Sequence, residues 1–76
     1  MCVSEAAYVL RVDGDSAVVE LRGTRRHVPL VLLTFAGETV RPGDWLLLHT
    51  GLAVARIGAT EAAEVNAIRD QGGSHG

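Results

Sequence analysis

Cysteine occurs once in these 76 residues, as Cys2. A single thiol cannot close an internal disulfide, and four-cysteine zinc sites are excluded with it. The disulfide-stapled secreted miniprotein is therefore not available to this chain, and the cytoplasm is the expected compartment. Lysine is absent altogether. All seven cationic side chains are arginine, and nine acids bring the formal net charge to −2. A general nucleic-acid binder normally carries a basic surplus, so the balance speaks against that class. Long apolar runs are missing too. The longest, Val28 to Leu33, is interrupted by Pro29 and falls far short of the roughly 20 residues a membrane helix needs. No basic start leads into an apolar stretch, so no secretion signal is expected. Only three aromatics are present, Tyr8, Phe35 and Trp45. They read as core or rim packing, since single-stranded nucleic acid is gripped by several aromatics in a basic groove.

What remains is a valine- and leucine-rich chain with strong turn punctuation. Tyr8–Val12 and Ser16–Leu21 flank Asp13-Gly14-Asp15, a hairpin signal because such turns need positive φ. A second turn at Arg22-Gly23-Thr24 leads into a third strand over Arg25–Leu30. Pro29 cannot donate to a ladder, which places it at an edge or at the strand's end. Thr34–Asp44, with Gly37 and Pro42-Gly43, reads as the longest loop. Trp45–His49 and Ala53–Ile57 are the fourth and fifth strands. A helix over about 60–70 follows, with Thr60 as N-cap and Glu61 and Glu64 near its positive end. Ala62, Val65 and Ile68 form a narrow apolar face for docking it. The expected architecture is mainly β: a small five-stranded OB-like barrel, closed or partly closed, with one C-terminal α-helix. It occupies residues 1–70 as one domain, and residues 71–76 are expected to be a disordered tail.

Two residues carry candidate chemistry. Removal of Met1 would leave Cys2 as the N-terminus, beside an α-ammonium that favours the thiolate. Thiolate is a soft ligand suited to iron, zinc or cuprous copper. The bland alternative is a small hydrophobe at a frayed end. His49 closes the fourth strand at the rim, where it could serve a site or simply bond to backbone. A cysteine nucleophile with a histidine base needs an orienting group, oxyanion donors and a pocket. Little in the sequence offers these, and an enzyme is not expected. Two ligands do not complete a metal site either, so a bound metal must be shared with other ligands. Arg22, Arg25, Arg26 and His27 form a positive cluster that reads as a solvated hairpin tip or an anion-docking patch. With Trp45 they support an alternative, an OB-type module for single-stranded nucleic acid or protein.

Met1-Cys2, the Asp13-Gly14 hairpin and the run Pro42-Gly43-Asp44-Trp45-Leu46-Leu47-Leu48-His49-Thr50-Gly51-Leu52-Ala53 together resemble the HypC/HupF family over residues 1 to about 70. These are chaperones that mature the large subunit of [NiFe] hydrogenases. The resemblance implies no catalytic activity and no permanently bound cofactor. It implies pairing with the iron–sulfur protein HypD, on which iron acquires cyanide and carbon monoxide. The resulting Fe(CN)2CO group is then escorted to the hydrogenase large-subunit precursor, with neither nucleic acid nor membrane involved. Cys2 matches the family's functional cysteine, an iron thiolate shared with the partner. His49 matches its motif histidine and, with Gly51, is expected to contact partner or cargo. The chain departs from the family where Cys2-Val3-Ser4-Glu5-Ala6-Ala7 lacks the usual proline, and where Leu52 replaces a common aromatic. Glu5 adds a negative charge close to Cys2.

Overall fold

The computed structural model describes residues 4–74, with side chains described to residue 67. The chain runs β1 (Ser4–Asp13), β2 (Ser16–Leu21), β3 (Thr24–Pro29), α1 (Val31–Phe35), β4 (Trp45–His49), β5 (Leu52–Ile57) and α2 (Ala59–Ser74). The five strands form one antiparallel sheet in the order β3-β2-β1-β4-β5. The mainly β architecture with a C-terminal helix is thus as the sequence predicts, and β4 has the expected limits. β1 begins four residues earlier than its valine-rich stretch suggests, because β4 supplies a pairing partner back to Ser4.

The sheet is not closed, so of the barrel expected as closed or partly closed the closed form is not what the chain adopts. β3 and β5 approach one another without pairing. β3 manages its edge chemically instead: it is exposed at every position but Val28, carries Arg25, Arg26 and His27, and ends on Pro29. Charges and a terminal proline are what keep an edge strand from templating another chain.

The hairpins follow from positive φ. Asp13 pairs with Ser16, so Gly14-Asp15 is the two-residue loop, and only Gly14 (58°) of the two is left-handed. That is the type II′ pattern, with glycine in the first central position rather than the second. The β2–β3 and β4–β5 loops are of type I′ pattern, left-handed at both residues: Arg22 (56°) with Gly23 (78°), and Thr50 (53°) with Gly51 (86°).

One helix within the expected long loop was not legible in the sequence. α1 is a single turn whose N-cap, Leu30, offers no side-chain bond. Its C-terminus does carry a signal. Gly37 (φ 77°) donates to Thr34 O at 3.1 Å and Glu38 to Leu33 O at 2.9 Å, the paired bonds of a glycine-terminated helix. Leu33 from α1 then joins Ala7, Val9, Val19, Leu46 and Leu48 in the main core.

Ala6 and Ala62 are equally buried yet stand outside that core. β1 is therefore covered on both faces, by the interior at Ala7 and by α2 at Ala6, since α2 packs on β1 and β4. Alanine at both positions lets helix and sheet approach closely. The N-cap of α2 is Gly58 rather than Thr60. Gly58 O accepts the Ala62 N–H at 2.9 Å, and the Glu61 carboxylate accepts the Gly58 N–H at 3.3 Å. Glu61 supplies the returning half of a capping box, which a glycine N-cap cannot supply alone. Of the expected docking face, Ala62 is buried and Val65 half-buried, while the Ile68 side chain lies outside the described residues. No helix among the described residues is long and apolar enough to cross a membrane.

Candidate functional site

The β1–β4 register decides what meets what. Ser4 pairs with His49, Glu5 with Leu48, and so on to Tyr8 with Trp45. The point where the N-terminal segment enters the sheet therefore lies beside the β4–β5 turn, although 45 residues separate the two in sequence. Ser4 Oγ is 3.4 Å from His49 Nδ1, in an exposed position. His49 also pairs with Leu52. Residues directly opposed on neighbouring strands share a sheet face, so the imidazole sits between a hydroxyl and an exposed leucine.

The turn below it is unusual for its sequence. Thr50 is β-branched yet adopts a left-handed φ of 53°, a conformation costly for such a residue. Its Oγ1 donates to His49 O at 2.6 Å. That bond and the Gly51 turn fix the backbone at His49, so the ring is presented from a defined strand end.

Of the site residues the sequence singles out, His49 ends β4 and Gly51 lies in the turn that follows it. Cys2 lies outside the described residues; the sequence places it two residues before Ser4. Among the described residues, no three histidine, cysteine, aspartate or glutamate side chains converge where a metal ion could be held. Two residues that sequence reasoning missed also lie at this end. One is Ser4, which touches His49. The other is Asn66 of α2, whose side-chain amide bonds to the backbone of Ala6. The only available hint of Asn66 was a polar residue next to Val65 on the helix's docking side.

Features needed by the competing readings lie elsewhere. Cavities of about 310 and 230 Å³ sit at the opposite end of the sheet, around α1, lined by residues including Phe35 and Leu33 respectively. Among the described residues, the side chain that meets the His49 ring is the hydroxyl of Ser4. Tyr8 and Trp45 meet edge to face, with centroids 5.2 Å apart, so each ring is engaged by the other. In the ladder that joins them to Arg25, Glu20 stands between. An acid interposed between cation and aromatics is the wrong order for gripping a polyanion.

Comparison with known proteins matches the same segments. The model of the HupF/HypC family covers residues 1–68. Hydrogenase maturation factor HypC of Escherichia coli (strain K12) is 33% identical over 66 residues, spanning 84% of this chain and 73% of that protein. HypC of Helicobacter hepaticus is 35% identical over 72 residues, 93% of this chain and 80% of its own length. Hydrogenase maturation factor HybG of Escherichia coli (strain K12) is 34% identical over 73 residues, 91% and 89% respectively. A family model matched over residues 1–68, together with relatives 33–35% identical over most of their length, shows that the chain belongs to the HupF/HypC family.

Proposed function

We propose that this protein is a hydrogenase maturation chaperone, not an enzyme, acting in the cytoplasm. In this reading Cys2 provides one thiolate to an iron atom held jointly with a HypD-type iron–sulfur partner. The iron travels as Fe(CN)2CO and is passed to the hydrogenase large-subunit precursor. The observation that carries the reading is the Ser4–His49 pairing, which brings the strand leading from Cys2 and the histidine motif to one end of the fold.

The chemistry suits a carrier. One thiolate cannot satisfy iron by itself, so the remaining positions fall to diatomic ligands and to the partner. A ligand set divided between two proteins can be exchanged one bond at a time, which allows handover. His49, exposed and neighboured by Ser4 and Leu52, serves as a contact to partner or cargo, and Gly51 keeps the turn tight beneath it. The family's proline is missing after Cys2; β4 pairs with residues 4–8, and Asn66 of α2 bonds to the backbone of Ala6.

Co-purification with the iron–sulfur partner tests the reading. The wild-type chain is expected to recover a complex containing iron, and Cys2→Ala to recover little or none while retaining its β-sheet circular dichroism. Equal iron in both complexes would remove the thiol from the mechanism.

A further inference from the structure

The backbone of Ala6 is gripped by a side chain from the far end of the sequence. Ala6 N–H donates to Asn66 Oδ1 at 3.2 Å, and Asn66 Nδ2 donates to Ala6 O at 3.4 Å. The reason is visible in the registers. β1 pairs with β2 only from Tyr8↔Glu20 onward, because β2 stops at Leu21 and turns through Arg22-Gly23. Residues 4–7 thus have β4 as their strand neighbour on one side, and Ala6 meets a planar donor–acceptor pair on the other. A carboxamide offers the same N–H and C=O that a neighbouring strand would. Asn66 continues the ladder by one rung where the strand itself has ended.

Resting on the function proposed above, we infer that Asn66 is a positioning residue for the N-terminal thiol. It acts through Ala6, fixing the strand end from which the chain leads to Cys2. A strand paired on one side opens easily; at Ala6, four residues after Cys2 in sequence, β1 is held on both sides. Preorganisation of this kind lowers the ordering cost of forming the iron–thiolate contact. The residue suits the task better than its neighbours in chemistry. Aspartate keeps the acceptor but loses the donor and sets a charge against Ala6 O; alanine loses both.

Amide exchange in the isolated protein and affinity for the iron–sulfur partner, prepared with and without iron, test the assignment. Asn66→Ala should accelerate exchange of the Ala6 amide and weaken the iron-bearing complex severalfold, by the ordering cost that the lost anchor hands back to binding. Binding to the iron-free partner should not change. Asn66→Asp should fall between wild type and Asn66→Ala. Val65→Ala, which loosens α2 packing but keeps the amide, controls for stability and should leave iron-dependent affinity intact. Unchanged Ala6 exchange overturns the inference, as does faster exchange with unaltered affinity, or equal weakening with and without iron. If Cys2→Ala fails to weaken the iron-bearing complex, the proposed function itself is at fault.

Discussion

Ser4 and His49 face each other across the β1–β4 ladder, with the serine hydroxyl 3.4 Å from the imidazole Nδ1. This pairing converts a separation of 45 residues into a neighbour relation, and the functional reading is built on it. Because the bond lies at the surface, with His49 exposed and Ser4 half-buried, it contributes little to folding.

His49→Ala should therefore leave stability within about 0.5 kcal/mol of wild type, as for other surface substitutions. Binding of the iron–sulfur partner, or iron transfer from the complex, should nonetheless fall severalfold. Thermal melting alongside calorimetric titration checks both halves. Retained stability with unaltered binding and transfer would show that His49 is a rim residue only.

Thr50 holds a left-handed φ that asparagine adopts at less cost. Thr50→Asn, which makes the favoured Asn-Gly pair of a type I′ hairpin, should stabilise the fold by about 0.5–1 kcal/mol. A rise in the denaturant midpoint with unchanged slope is the expected result. A fall would mean that the Thr50 Oγ1 bond to His49 O outweighs the backbone cost.

Leu46 and Phe35 should behave as opposites. Leu46 is fully buried, and its truncation to alanine should cost about 2–5 kcal/mol, enough to unfold much of a domain this small. Phe35 is 88% exposed on α1, so Phe35→Ala should change stability by less than about 0.5 kcal/mol. Urea titrations of the two variants decide this.

The nucleic-acid alternative also makes a measurable claim. With Glu20 set between Arg25 and the Tyr8–Trp45 pair, single-stranded oligonucleotides should not bind at low salt. Salt-dependent binding abolished by substituting Arg25 and Trp45 would restore that reading.

Most of the fold was legible because its signals are local. Short valine- or leucine-rich runs and glycine turns announce β2, β4 and β5 within their own few residues. α1 was not legible, since one helical turn has no periodicity and its N-cap bears no capping side chain. The edges of the sheet were misjudged for a related reason. Nothing in an alternating pattern says whether β3 and β5 will pair, although Arg25, Arg26 and Pro29 mark β3 as an edge. His49 could be singled out from its motif. Ser4 and Asn66 could not, because their roles depend on the β1–β4 register and on where β2 stops, and these are long-range facts.

The most direct test is the iron content of the partner complex formed by wild type and by Cys2→Ala, with folding of both verified by circular dichroism. The account predicts a folded variant that fails to retain iron in the complex. A folded variant whose complex carries wild-type iron would contradict it.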